Sequence, residues 1–390
     1  MDQKEKELIA ARLRHLESSP TLALAAKAKA LAKSGKPVLD FTAGEPDFPT
    51  PPHIKKAAIA ALESNQTKYT PVAGIPELRA AVAEATNKQH RTQVTPSQVV
   101  VSCGAKHSLY NVFQALCEPG DEVLIQAPYW VSYPPLVELS GAKPVIMTTQ
   151  ERDGFLPDPD RLNKLVTNAT KVLVLNSPSN PTGAVMDEAR LRAIAKIALE
   201  RNLIVVTDEI YDQLVYAPAK HVSLLSVAPE LAGQTVLVNG VSKTYSMTGW
   251  RIGWAVAPQA WADAMTNLQS HATSNPTSIS QYAALAALTG DQEPVARMRA
   301  EFQKRRDRMV EGLNAIPTLR CTMPGGAFYA WCNVSQLGLP SDAIASRWLE
   351  QSYVAVVPGE GFGAPGYVRF SFATSLQTIE EGLKRLAQHA

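Results

Sequence analysis

Between residues 99 and 257 the chain carries short, continuously apolar runs: Val99–Val101, Val123–Ile125, Lys171–Leu175, Leu203–Thr207, Val236–Val238 and Ile252–Ala257. Their residues are mostly β-branched, and polar residues stop each run. A strand with one face in water alternates apolar and polar side chains, whereas a strand covered by helices on both faces does not. The runs therefore predict a mostly parallel sheet buried between helices, an α/β architecture. Ahead of them, residues 5–33 show an amphipathic helical pattern interrupted near Ser18-Ser19-Pro20, where a first helix should stop. The stretch from Phe41 to Pro49 has no period and is rich in Gly, Pro and acidic residues, which reads as a functional loop or a linker. Beyond about residue 290 a charged helix (roughly 294–316) precedes strand signals at Ala327–Cys332, Ala355–Val357 and Tyr367–Phe372. That change of character predicts a smaller α+β domain.

The 390 residues are enough for two domains, and 45% hydrophobic content is ordinary for a globular chain. A formal net charge of +2 with interspersed signs offers no basic face for nucleic acid and no acidic tail, so small molecules are the expected partners. The four cysteines, Cys103, Cys117, Cys321 and Cys332, have neither C-x-x-C spacing nor zinc-like histidine pairing. Free thiols in a reducing compartment and no metal are expected. The amino-terminal segment MDQKEKELIAARLRHLESSP lacks the apolar core of a signal peptide. No apolar run approaches the roughly 20 residues that span a bilayer. The expected location is the cytoplasm, with no membrane partner.

Chemistry concentrates where the apolar runs end, which is where open α/β sheets bind ligands. After the run VLVNG come Lys243, small hydroxyl residues and Arg251. A lysine just past a buried strand is desolvated and nucleophilic towards carbonyls, and an arginine beside it is a rigid anion fork. The run LIVVT ends in Asp208, with Tyr211 three residues on. A carboxylate there needs a cation, and a protonated pyridine nitrogen is one such partner. The run KVLVLN leads to Asn180 in Asn-Pro-Thr-Gly, and VVVS leads to Gly104 and Ala105 at a helix start, where open N–H groups suit a phosphate. Trp130 offers a flat face for stacking, and Arg369 sits inside an apolar alternation that obliges it to find a carboxylate. Each has an ordinary reading as turn, helix cap, core aromatic or surface cation. Four separate runs ending in capable residues carry the argument.

In this combination the chain resembles the class I/II aminotransferases, pyridoxal 5′-phosphate enzymes of fold type I. The lysine motif S-K-x(5)-G-x-R-x-G stands as Ser242-Lys243 through Gly249, Arg251 and Gly253, and Asn180-Pro181-Thr182-Gly183, Asp208 with Tyr211, and Arg369 follow the family's order. The segments Gly44-Glu45-Pro46-Asp47-Phe48, Pro128-Tyr129-Trp130 and Met247-Thr248-Gly249-Trp250 are most like the bacterial and thermophile-type aspartate aminotransferase subgroup.

The resemblance implies a large cofactor-binding domain over residues 47–290 and a small domain formed by residues 1–46 and 291–390. It implies that Lys243 carries the cofactor as a Schiff base and moves the Cα proton. Asp208 would hold the pyridinium, Tyr211 and Asn180 the ring oxygen, and Trp130 the ring face. Gly104, Ala105 and Arg251 would take the phosphate, joined by Tyr69 reaching into a partner subunit, so the unit would be a homodimer. Arg369 would clamp the substrate's α-carboxylate, with Gly44, Trp130 and Asn180 nearby. The implied reaction is a ping-pong transfer of an amino group from an L-amino acid, aspartate or glutamate, to a 2-oxo acid such as 2-oxoglutarate. Two departures bear on substrate. Ser270, beside His271, stands where better-known aspartate enzymes carry a side-chain-reading arginine, so Lys106 is expected to take that role. Glu17 replaces a basic residue common in the subgroup, against specificity for prephenate-like dicarboxylates. A carbon–sulfur lyase on the same fold, or an aromatic, broad-specificity or prephenate aminotransferase, would use the same cofactor residues.

Overall fold

The computed structural model describes residues 8–14, 16 and 20–389. In chain order the strands begin with a two-residue β1 (Leu39–Asp40). The central sheet follows: β2 (Val99–Ser102), β3 (Glu122–Ala127), β4 (Lys143–Thr148), β5 (Thr170–Asn176), β6 (Ile204–Asp208), β7 (Thr235–Gly240) and β8 (Gly253–Val256). The last strands are β9 (Arg320–Cys321), β10 (Tyr329–Asn333), β11 (Val354–Ala355), β12 (Val357–Pro358) and β13 (Tyr367–Ser371).

The central sheet runs β2-β8-β7-β6-β5-β3-β4. Only β8 is antiparallel to its neighbours, so the carboxyl ends of β2, β5, β6 and β7 share one edge. Both faces are covered. Val172, Val174, Val206, Val236 and Val238 pack with the helices Ala105–Leu116 and Gln259–Ser270, while Leu173, Leu175 and Val205 pack with the helix Glu188–Glu200. This is why the runs are continuously apolar. Each fully buried valine or leucine contributes on the order of 1.5–3 kcal/mol, so a charge at Val206 would break the sheet at its centre.

The six predicted runs are all strands of this sheet, and one strand was not foreseen. β4 is the edge, paired only with β3, and its residues are mostly half-exposed and include Pro144. Edge strands tolerate proline and polar residues, so the apolar signature is lost. In the carboxyl-terminal region the order β12-β13-β10-β9 forms an antiparallel sheet. The expected single strand at Ala355–Val357 is divided, because β11 pairs in parallel with β1 while β12 joins β13. The β1–β11 pairing ties the amino-terminal segment to the carboxyl-terminal one. A helix over Pro20–Lys33 and a short turn of helix over Ala11–Arg14 occupy the amphipathic region, and a helix over Glu293–Asn314 matches the charged one. The expected break at Ser18-Ser19 and the departure at Glu17 lie outside the described residues.

Candidate active site

At the shared carboxyl edge a cavity of about 520 Å3 opens between the central sheet, the segment 40–45 and the antiparallel sheet. Lys243, Asp208, Tyr211, Asn180, Trp130, Ala105, Lys106, Arg251, Arg369 and Gly44 all line it. Tyr69 lies away from the cavity and is 90% exposed. Ser270 and His271 are on the surface of this chain.

Lys243 stands three residues past β7, and its Nζ donates to the Gly44 carbonyl at 2.6 Å. Burial pushes its amine down to about 8; Glu45 opposes that, and Arg251 and Arg369 reinforce it. Asp208 ends β6, buried, and accepts from the Tyr133 hydroxyl at 2.7 Å and from the Ile210 amide at 3.2 Å. Burial raises its carboxyl to about 6 despite those donors. A neutral phenol is thus its side-chain partner, and it belongs to no protein ion pair among the described residues. Tyr211 meets the Tyr329 hydroxyl at 3.0 Å, and burial lifts its phenol well above the ordinary range.

Close backbone approach builds an anion cradle. Gly104 adopts φ +88° at the start of the helix Ala105–Leu116, and a Cβ there would lie 2.5 Å from Arg251 Nη2. A Cβ on Gly253 would lie 2.2 Å from the Ala105 nitrogen, so glycine at the start of β8 lets the helix terminus sit directly over the sheet. Arg251 donates to the carbonyls of Thr248 (2.8 Å) and Cys103 (3.4 Å), and no protein carboxylate pairs with it among the described residues. Its guanidinium therefore faces the helix N-terminus, which is itself electropositive.

Arg369 lies on β13 between β10 and β12, 4% exposed. Nη1 donates to Asn180 Oδ1 at 2.9 Å and Nη2 to the Thr42 carbonyl at 3.0 Å, while the buried Nε has no acceptor. The guanidinium stacks 4.3 Å from the Tyr329 ring centroid. Burial lowers its proton affinity, and no protein carboxylate pairs with it among the described residues. A buried guanidinium held by neutral groups, with one N–H free, is arranged for a carboxylate from outside the fold. Lys106 places its Nζ 4.9 Å from the Trp130 ring centroid, and burial followed by Arg251 lowers its proton affinity.

A family profile described as aminotransferase class I and II matches residues 36–386. An aspartate aminotransferase of Geobacillus stearothermophilus is 46% identical over 383 residues, 97% of this chain and 98% of the relative. The chain belongs to the class I and II aminotransferases. An aspartate/prephenate aminotransferase of Thermus thermophilus is 44% identical over 380 residues, 97% of each chain. The solved aspartate aminotransferase from Thermus thermophilus with maleate superposes with a TM-score of 0.94 at 43% identity, covering 97% of this chain and 99% of that one.

Aminotransferases of this group depend on pyridoxal 5′-phosphate, and the unmatched charges fit that group with a substrate beside it. A buried Asp208 without a protein cation suits a pyridinium N–H. Arg251 and the Gly104–Ala105 turn suit a phosphate, and Arg369 suits a substrate carboxylate. Sequence reasoning had not assigned Tyr133, Tyr329, Asn176, Glu45 and Thr248 to this aminotransferase site, yet all five line the cavity. Asn176 ends β5 and donates to the Asp208 carbonyl at 3.0 Å, a position readable from the strand end alone. Tyr133 and Tyr329 reach the site only through tertiary packing.

Proposed function

We propose that this chain catalyses pyridoxal-phosphate-dependent transamination, moving the amino group of an acidic L-amino acid, aspartate or glutamate, to a 2-oxo acid such as 2-oxoglutarate. The observation that carries the reading is one cavity holding a desolvated lysine amine, a buried carboxylate in no ion pair among the described residues, and an arginine with a free N–H. When bound, pyridoxal 5′-phosphate supplies an electrophilic carbon for the amino group and a ring that absorbs the electron pair left by Cα–H cleavage. Asp208 would keep the ring nitrogen protonated, Tyr211 and Asn180 would bond the ring oxygen, and Trp130 would offer its face to the ring. Gly104, Ala105 and Arg251 would hold the phosphate. Arg369 fixes the substrate's α-carboxylate and so aims the Cα–H bond at Lys243. With its amine near 8, part of Lys243 is unprotonated at neutral pH and takes the Cα proton at Nζ. The two half-reactions share one cavity, which gives ping-pong kinetics.

The reading includes two domains, residues 47–290 and residues 1–46 with 291–390, and a homodimer in which the exposed Tyr69 reaches the partner's phosphate. Four unpaired cysteines support a reducing cytoplasm. Lys106 reads the substrate's distal carboxylate. A broader range that includes prephenate is the second reading, favoured by relatives named aspartate/prephenate aminotransferase at 44–45% identity.

The test is single-turnover conversion of the cofactor from its aldehyde to its amine form, followed by absorbance with aspartate, glutamate, alanine and phenylalanine. Fast conversion with the acidic pair is expected. Lys106→Met should weaken aspartate binding about tenfold, a loss of one charge-assisted contact, while leaving alanine unchanged. With a cysteine thioether added to the panel, β-elimination of its thiol to give pyruvate and ammonia without the amine form would move the protein to the lyases.

A further inference from the structure

The segment 42–50 is bonded to the lysine loop 242–251 at several points. Lys243 Nζ donates to the Gly44 carbonyl at 2.6 Å, and Thr248 Oγ1 donates to Glu45 Oε2 at 2.6 Å. Thr50 Oγ1 donates to the Ser246 carbonyl at 2.7 Å and accepts from Trp250 Nε1 at 3.0 Å. Thr248 in turn gives its carbonyl to Arg251 Nη1 at 2.8 Å. Two carboxylates lie in this segment, and they are used differently. Asp47 is gripped by Arg305 Nη1 at 2.8 and 2.9 Å. Among the described residues, Glu45 has a hydroxyl as its one hydrogen-bond partner, and it lines the cavity. The other acids of the cavity are committed elsewhere: Asp40 accepts from the Thr42 amide and hydroxyl, and Asp208 from Tyr133 and Ile210.

We propose that Glu45 is a positioning residue for Lys243: its carboxylate, tethered by Thr248, is the counter-ion of the Lys243 ammonium and fastens the 42–50 segment over that amine. The importance of this role rests on the aminotransferase reading, in which Lys243 Nζ must both take up and give back a proton. After burial, the charges acting on the amine are Glu45, Arg251, Arg369 and Asp208, and Glu45 is the stronger of the two attractions. Lys29, Lys106 and Asp40 also line the cavity. Without Glu45 the two arginines and desolvation would be opposed by Asp208 alone, and Lys243 would be a weaker base that takes up the Cα proton less readily. Thr248 matters because it fixes the carboxylate of a side chain that is otherwise exposed.

The test reads the amine itself. The full chain without cofactor is trace-labelled with acetic anhydride across pH, and modification of Lys243 is followed by mass spectrometry. The native midpoint should fall near 8. Glu45→Gln should lower it by about one pH unit, the low end of the range for a nearby opposite charge. Glu45→Asp, which keeps the charge, should recover most of that shift, and Thr248→Ala should lower the midpoint by less than Glu45→Gln. An unchanged or higher midpoint in Glu45→Gln, or Glu45→Asp behaving as the glutamine variant, would overturn the proposal. Because the readout is not transamination, it can fail while the aminotransferase reading stands.

Discussion

Asp208 and Glu209 are adjacent carboxylates at the carboxyl end of β6, and both are buried, at 4% and 1% exposure. They point to opposite sides of the chain and live in opposite electrostatic worlds. Asp208 faces the cavity, bonded to a phenol and an amide, and burial raises it to about 6. Glu209 faces away. It meets His221 Nε2 at 2.8 Å, Ser223 Oγ at 2.7 Å and Thr207 Oγ1 at 3.0 Å, with His90 Nε2 at 3.8 Å. Burial pushes Glu209 up, but His221, His90 and Ser223 together outweigh it and hold the carboxyl below its ordinary value. His221 responds in kind: burial pulls its imidazole down, and Glu209 with Asp212 more than restores it. Glu209 is matched by imidazoles inside the fold, whereas Asp208 is in no protein ion pair among the described residues, the arrangement on which its proposed ligand role rests.

Four experiments break or sharpen this contrast. The largest effect belongs to the cavity side. Lys243→Ala should lower transamination by on the order of 10⁴-fold, since on the proposed reading it removes the proton carrier, while the thermal midpoint moves little. Steady-state assays beside a melting curve decide it, and full activity would sink the mechanism.

Asp208→Asn should lower kcat by on the order of 10²-fold or more, as for loss of a preorganised electrostatic partner. Its stability should hold or rise, because an unmatched buried charge is removed. Denaturant unfolding beside kinetics would expose the opposite result, a destabilised variant with normal kcat.

Glu209→Gln should invert that pattern. Breaking a buried pair costs roughly 3–5 kcal/mol, whereas kcat per folded molecule should stay nearly native. Unfolding and active-site titration together separate the two.

The smallest effect is a pH dependence. Glu209 is depressed from its ordinary 4.5, so its contribution is complete above that pH and fades as pH falls below it. His221 is raised above its ordinary 6.5, so its contribution is complete below 6.5 and is lost as pH rises through the higher folded value. His90, lowered by burial, adds an opposite term on the acid side. The stability difference between the native chain and His221→Gln isolates the His221 term. It should be flat between about 4.5 and 6.5 and shrink above, and a difference that grew with pH would contradict the pairing.

Much of this was legible in the chain itself. Continuously apolar runs announced strands covered on both faces, because burial on two sides demands apolar residues at every position. Lys243, Asp208 and Asn180 stood out because they interrupt that demand at strand ends, where a polar group needs a reason. β4 escaped, since an edge strand is under no such demand. Asp208 looked like a helix cap as readily as a ligand, and nothing local separated it from Glu209.

Only the tertiary structure decided which of those two acids is matched, because Tyr133 and His221 reach them from distant segments. The same holds for Arg369, whose partners Asn180 and Thr42 lie 189 and 327 residues away, and for Glu45, which meets Thr248 across 203 residues. Periodicity reports the side of an element that is buried, since burial is a local requirement repeated along the chain. The partner of a buried charge is a long-range fact, set by how the sheets and segments close on one another, and it leaves no periodic trace.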